Sequence, residues 1–165
     1  MSKAFTRESD DHAEEPILPP LVVSAGRRYI TRQGAERLRK QGAALLEEKS
    51  ALLQGGPPGP DNAARIRRLD ANLQKLQRIL DSAQVAEPPA DPGRIEFGAV
   101  VRIRDQHGDE DTYQIVGADE AEPGEGRISS VSPLAQALMT RRAGDLVRFQ
   151  SPAGEQQLTI LSVGY

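Results

Sequence analysis

The residue types that most often carry chemistry are sparse in this 165-residue sequence. It has no Cys, which excludes disulfides and thiolate metal sites. Its two histidines, His12 and His107, do not form a metal-ligand pattern. No glycine-rich nucleotide-binding motif and no nucleophile–base pair is visible. The sequence therefore gives no indication of a cofactor or a catalytic centre of its own.

The next candidate site residues follow a Gly- and Pro-rich run at 54–60. Asp61, the only acid within residues 50–69, directly follows this run. Its carboxylate can accept a hydrogen bond from a backbone N–H in the first turn of a helix, which predicts an N-cap. Arg65, Arg67 and Arg68 come next. Such side chains attract phosphates without sequence selectivity, or simply form a solvated helix face, and the residues alone leave both interpretations open.

Two segments with heptad spacing flank the run. The first helix is predicted over 31–53 with Thr31 as N-cap, and the second over about 62–84. Two such helices joined by a short breaker should fold back as an antiparallel hairpin. The predicted seams are Ala35, Leu38, Gly42, Leu45, Lys49 and Leu52, then Ile66, Leu69, Leu73, Leu76, Leu80 and Ala83.

The C-terminal half shows a different periodicity. Apolar and polar residues alternate after a proline-containing linker at 87–93, which is typical of half-buried strands. Ser132 and Pro133 are predicted to open a short helix that ends near Thr140. The expected architecture is a small antiparallel sheet with one helix against it. The predicted strands lie in 99–116, 127–131, 146–149 and 156–163.

Charge is unevenly distributed along the chain. The two helical segments hold eleven basic against six acidic residues, whereas 94–165 holds seven against eleven. Such asymmetry suggests two modules with different partners. The acidic loop 119–125 is expected to keep its domain soluble. Residues 1–27 read as an acidic disordered tail, and without an apolar run of about 20 residues we expect a cytoplasmic protein that does not bind membranes.

Several short motifs resemble the Gre family of bacterial transcription elongation factors. Tyr-Ile-Thr with a following Gly resembles the start of that family's first helix, and Asp-Asn-Ala resembles its Glu-Asn-Ala. An Ile-Ser, Ser-Pro, Ala, Ala-Leu series is similar to its C-terminal signature, and Gly-Asp and Pro-Ala-Gly-Glu turns follow. The matching segments are 28–34, 37–38, 61–63, 128–138, 144–145 and 151–155. The acidic N-terminal extension is similar to the GreB-like branch.

The resemblance implies an α+β fold. A coiled-coil hairpin over 28–86, with its tip at 54–61, would be joined by the linker 87–93 to a small FKBP-like antiparallel β domain over 94–165. It further implies a monomeric accessory factor, not an enzyme, that acts on bacterial RNA polymerase and has no cofactor of its own. In such factors the C-terminal domain binds the rim of the polymerase secondary channel and the hairpin enters the channel.

The family's mode of action assigns roles to particular residues. Tip carboxylates help hold a catalytic Mg²⁺ and a water in the polymerase active site, and the polymerase then hydrolyses its backtracked RNA. By resemblance, Asp61 is the tip carboxylate that would contact this Mg²⁺. The charge of Arg65, Arg67 and Arg68, and not the resemblance, suggests that these side chains contact RNA or the channel wall. By resemblance, the polymerase-binding residues would be Ser132, Pro133, Leu134 and Ala135. The alternative interpretation of these residues is a helix start that packs on the sheet.

The tip departs from the family pattern, which reads Gly-Asp-x-Ser-Glu-Asn-Ala. Pro58 stands at the Asp position and Asp61 at the Glu position. Each arm also lacks about two turns, or roughly 10 Å. We therefore expect weak or no stimulation of transcript cleavage.

Three alternatives to this interpretation remain. One is an active cleavage factor in which Asp61 suffices. The second is a coiled-coil interaction protein unrelated to transcription. The third is a prolyl isomerase, suggested by an FKBP-like fold, although fold does not imply function. Its pocket would draw on the aromatic residues Phe97, Tyr113, Phe149 and Tyr165.

Overall fold

A computed structural model of the chain describes residues 28–54 and 56–165. The predicted acidic tail, 1–27, lies outside the described residues. Within the described ranges, no helix is both long enough and apolar enough to cross a membrane.

Two long helices form the predicted antiparallel hairpin. Helix α1 spans Arg32–Leu53 and α2 spans Pro60–Ser82, 22 and 23 residues respectively, so each arm is about 33 Å long. Thr31 is the N-cap of α1, as predicted, and its hydroxyl accepts a hydrogen bond from the Gly34 backbone N–H at 2.9 Å. The hairpin core is small. It consists of Leu38, Leu76 and Ile79, with Leu45 and Leu80 half-buried against it.

The base of the hairpin contains two strands that the heptad pattern did not predict. Strand β1, Arg28–Ile30, precedes α1, and β2, Ala83–Val85, follows α2. The two strands pair in parallel, and Ile30 is buried. Ala83, predicted as the last residue of the second seam, instead caps the C-terminal end of α2 and begins β2, because the backbone turns to an extended conformation there.

The C-terminal domain is built on a five-stranded sheet in the order β5-β4-β3-β7-β6. The predicted fold class, a helical hairpin followed by a small β-rich domain, is confirmed. The sheet is antiparallel except at one edge, where β5 pairs in parallel with β4. The strands are β3 Val100–Asp105, β4 Glu110–Val116, β5 Arg127–Ser129, β6 Leu146–Ser151 and β7 Gly154–Gly164.

One short helix, α3, covers the sheet over Pro133–Leu138. It begins as predicted, because Ser132 caps it and Pro133 occupies its first position. It ends at Leu138, two residues earlier than predicted, because the backbone of Met139 turns to a ψ of 143°, which is not helical. Thr140 follows with a left-handed φ of 70°. Apolar residues of all five strands and α3 form the core of this domain, together with Ile95, which precedes β3. Val101, Ile115, Leu138 and Ile160 are among the members in these elements.

Candidate functional site

The tip of the hairpin lies between Leu53 and Pro60. Helix α2 starts with Gly59 as N-cap and Pro60 at the first helical position. The prediction that Asp61 caps this helix is therefore wrong. Proline fits the first position, where no backbone N–H is needed, and this moves the cap two residues upstream of Asp61.

Asp61 lies in the first turn of α2 with an exposed side chain. In the described ranges it has neither a hydrogen bond through its side chain nor an ion pair. A carboxylate there is favoured by the positive end of the helix dipole. In the same ranges no group of three or more His, Asp or Glu side chains could hold a metal ion. The described part of the tip thus carries a single carboxylate, that of Asp61.

The shaft of the hairpin holds two ion pairs between its helices. Lys49 contacts Asp70 at 2.5 Å, and Arg65 contacts Glu48 at 2.6 Å. Lys49, a charged residue at a predicted seam position, therefore joins the helices through an ion pair instead of apolar contact.

The three arginines predicted to contact nucleic acid differ in whether they form an ion pair inside the hairpin. Arg65 is engaged by its neighbouring helix, whereas Arg67 and Arg68 are exposed and form no ion pair within 28–54 and 56–165. Among these three arginines, Arg67 and Arg68 can bind a phosphate without loss of a contact inside the hairpin.

The predicted polymerase-binding residues separate by burial. Pro133 is exposed and Ser132 is half-exposed, next to Val131, whose side chain is 66% exposed. Leu134 packs partly against the domain core, and Ala135 is fully buried at 0% exposure. As folded, the surface at this corner of the domain consists of Val131, Ser132 and Pro133, while Leu134 and Ala135 hold the helix on the sheet.

A cavity of about 190 Å³ lies beside this corner, between the base of the hairpin and the C-terminal domain. Tyr29 and Phe97 line it, with ring centroids 6.3 Å apart. Tyr113 and Phe149 instead pack against the domain core. The four aromatic residues proposed for an isomerase pocket therefore do not come together around one cavity.

A buried carboxylate at the base of the hairpin was missed by the sequence reasoning. Glu120 is only 7% exposed although it belongs to the acidic loop that we expected to be solvated. Its carboxylate accepts hydrogen bonds from the Thr31 backbone N–H at 2.8 Å and the Thr31 hydroxyl at 2.6 Å. It also accepts one from the Gly117 N–H at 3.2 Å. The expectation of a purely solubilising loop is wrong for this residue.

Close packing surrounds the Glu120 carboxylate. Arg37 places a guanidinium nitrogen 3.6 Å from it, as an ion pair beyond hydrogen-bond distance. A Cβ at Gly34 would lie 1.4 Å from the Glu120 Oε1 atom, and one at Gly117 would lie 2.2 Å from the Tyr29 carbonyl oxygen. The sequence signal for this joint was the pair of glycines, since glycine marks positions where backbone and neighbour approach closely.

Known proteins resemble this chain over most of its length. The family model for the C-terminal part of the GreA/GreB transcription elongation factors matches residues 89–165. The elongation factor GreA of Alkalilimnicola ehrlichii is 36% identical over 152 aligned positions, covering 82% of this chain and 96% of the relative. GreB of Pseudomonas aeruginosa is 33% identical, covering 86% and 93%.

The alignment with the Alkalilimnicola protein also measures a length difference. Because 82% of 165 residues is about 135, roughly 17 of the 152 aligned positions have no counterpart in this chain. Among solved structures, GreA factor homolog 1 of Thermus thermophilus is 25% identical with a TM-score of 0.41, covering 84% of this chain and 99% of that one. On the strength of its sequence relatives, the chain belongs to the GreA/GreB family of transcription elongation factors.

Proposed function

We propose that this protein binds bacterial RNA polymerase, inserts its hairpin into the secondary channel, and regulates elongation with little or no stimulation of transcript cleavage. The observation that carries the proposal is the chemistry of the tip. The described part of the tip holds one carboxylate, Asp61, between a proline-rich turn and α2.

Cleavage stimulation demands more of a tip than one carboxylate. A second Mg²⁺ must be held and a water positioned beside it. Mg²⁺ requires near-octahedral oxygen ligation at about 2.1 Å, so its ligands must be placed precisely. Pro58, at the position where the family has an acid, has neither a charge nor a donor. Asp61 could supply one ligand to a metal already held by the polymerase, but it has no partner at the tip to share the task.

The difference in length from the Alkalilimnicola protein supports the same proposal. Roughly 17 aligned positions of a relative are missing from this chain. If they are divided between the two arms, each loses about eight residues, or about 12 Å of helix. A hairpin anchored at the same rim would then end well short of a site reached by longer arms. The Gly- and Pro-rich tip would occupy the channel without contacting the catalytic metal.

The proposed contact with the polymerase lies at Val131, Ser132 and Pro133. An exposed Val beside an exposed Pro forms a small apolar surface at the start of α3. A few well-packed residues near the centre of an interface commonly carry most of its binding energy. Leu134 and Ala135 contribute by fixing the helix from beneath.

A second candidate function is cleavage stimulation through Asp61 alone. Its favourable observation is that Asp61 is exposed and has no side-chain partner in the described residues, so it is free to ligate. In that case Asp61→Ala would abolish an activity that the unaltered protein shows clearly.

The binding half of the proposal is tested with purified core polymerase. We expect the chain to co-migrate with it and Pro133→Asp combined with Val131→Asp to weaken binding by about tenfold or more. Ala153→Asp, an exposed change in the turn between β6 and β7, is the matched control and should bind normally. Equal binding by both variants would move the contact away from α3, and no binding by the unaltered chain would reject the proposal.

The tip half is tested by restoring what it lacks. One variant combines Pro58→Asp with Asp61→Glu, a second lengthens each arm by one heptad, and a third does both. We expect cleavage of stalled transcripts only with the third, because acids and reach are both required. Strong cleavage by the unaltered chain would instead establish the second candidate.

A further inference from the structure

The joint between the hairpin and the C-terminal domain is organised around one side chain. The Glu120 carboxylate accepts three hydrogen bonds, two of them from Thr31, which lies 89 residues away in sequence. Around it lie the Tyr29–Phe97 aromatic pair and an ion pair between Arg28 and Asp119 at 3.6 Å. The contact is largely polar, so its geometry depends on directional bonds.

Glu120 also completes helix α1 from outside. The first turn of α1 contains no acidic residue, although the positive end of a helix favours one. Glu120 supplies that charge and accepts the backbone N–H of the N-cap residue itself. The N-cap residue of α1, Thr31, is thereby fixed to the C-terminal domain.

Two glycines, Gly34 and Gly117, allow the hairpin and the C-terminal domain to approach closely in one arrangement. At Gly34 there is no room for a methyl group beside Glu120, and at Gly117 none beside the Tyr29 carbonyl. A close fit with directional hydrogen bonds on one side and backbone on the other restricts rotation of α1 against the domain.

Because the arm is long, a small rotation of α1 at its base produces a large displacement of the tip. Over 22 residues the arm reaches about 33 Å. A rotation of about 10° at the base would displace the tip by roughly 6 Å, more than the length of a whole helical turn. The direction of the hairpin at Glu120 thus sets where the tip lies relative to the surface at α3.

We infer that Glu120 is a positioning residue, which fixes the direction of the hairpin so that a factor bound through its C-terminal domain places the tip correctly in the polymerase. This inference rests on the proposed function. It adds that binding and tip action are separable, and that the residue separating them touches neither the polymerase nor the RNA.

The direct test measures the angle of the hairpin in the full chain. Because the sequence has no Cys, Ala51→Cys in the arm and Ala153→Cys in the domain allow clean spin labelling of two exposed positions. We expect a narrow distance distribution in the parent protein. Glu120→Gln replaces one carboxylate oxygen, which accepts hydrogen bonds, with an NH2 group, which cannot. We expect this change to broaden the distance distribution or to shift it by roughly 6 Å or more.

Matched variants separate positioning from folding. Thr31→Val removes the hydroxyl with little change in shape and should act like Glu120→Gln, whereas Thr31→Ser keeps the hydroxyl and should restore the narrow distribution. Glu125→Gln makes the same chemical change at an exposed position of the same loop and should have no effect. A narrow, unshifted distribution in both Glu120→Gln and Thr31→Val would overturn the inference.

A functional arm tells the two proposals apart. With core polymerase, we expect Glu120→Gln to keep its affinity within about threefold and to lose about tenfold or more of its effect on elongation. Equal losses of affinity and effect would show a merely structural role and overturn the inference. If the unaltered chain does not bind polymerase, the proposed function fails, and the distance measurement still decides whether Glu120 fixes the hairpin.

Discussion

Each helix of the hairpin has a carboxylate at its N-terminal end, and the two carboxylates sit in opposite surroundings. Glu120, at the start of α1, is buried and accepts three hydrogen bonds. Asp61, in the first turn of α2, is exposed and has no side-chain partner in the described residues. Hydrogen bonds therefore fix the position of the Glu120 carboxylate at the base of the hairpin. No side-chain contact in the described residues fixes the Asp61 carboxylate at the tip.

This contrast indicates which of the two carboxylates can be substituted without loss of stability. A buried, hydrogen-bonded carboxylate is costly to remove because its donors stay buried without an acceptor. An exposed one near a helix start contributes only the weak interaction with the helix dipole. The tip can therefore change its chemistry without loss of the fold, and the base cannot.

The largest expected effect comes from removing the base carboxylate. Glu120→Ala should lower the free energy of unfolding by about 3 kcal/mol, because two backbone N–H groups and the Thr31 hydroxyl lose their acceptor. Denaturant titration followed by far-ultraviolet circular dichroism measures it. Asp61→Ala is the matched control and should cost about 0.5 kcal/mol. Equal costs would break the comparison between base and tip.

Crowding at the base gives the next effect. Gly34→Ala should destabilise the protein by about 2 kcal/mol, because its methyl group would force the Glu120 carboxylate out of place. The same substitution at Gly124, an exposed position where a Cβ meets nothing within 4 Å, should change stability by less than about 0.5 kcal/mol. The two variants are compared by thermal melting. A neutral Gly34→Ala would contradict the close fit at the joint.

A third glycine should give the opposite sign within the same helix. Gly42 lies in the interior of α1, and a Cβ there would meet only Leu76, at an ordinary 4.0 Å. Gly42→Ala should therefore stabilise the hairpin by about 1 kcal/mol, since alanine loses less backbone entropy in a helix. Destabilisation in the same melting experiment would mean that the helices pack more closely than described.

The smallest effect concerns the linker. The hydrogen bond from the Arg142 guanidinium, followed by that from the Gly93 N–H, lowers the pKa of the Asp91 carboxyl below its usual value of 3.8. The stabilisation is complete above the unfolded pKa and disappears as the pH falls through the lower folded pKa. Asp91→Asn should thus lower Tm slightly at pH 7, and the difference should vanish in strong acid. A difference that persists there would assign it to something other than the charge.

Much of this architecture follows from local sequence. Heptads, the Gly- and Pro-rich breaker, Thr31 as a cap and the Ser132–Pro133 helix start all depend on neighbours within a few residues. The missed features depend on distant ones. Strands β1 and β2 are three residues each, too short for a period, and Glu120 meets Thr31 across 89 positions. In an acidic loop nothing local marks which carboxylate is buried.

The tip shows a different limit. Asp61 was predicted as a cap because an acid followed a breaker, but Pro60 fits the first helical position and moves the cap to Gly59. The resemblance alone supplied its suggested chemical role.

The central claim is most directly tested by the rate at which stalled, backtracked elongation complexes cleave their transcript when saturated with this protein. Saturation is established first by co-migration with the polymerase. We predict a rate within about twofold of polymerase alone, the same for the unaltered chain and for Asp61→Ala, because the tip lacks a carboxylate pair. A stimulation of about 100-fold that disappears in Asp61→Ala would contradict this account.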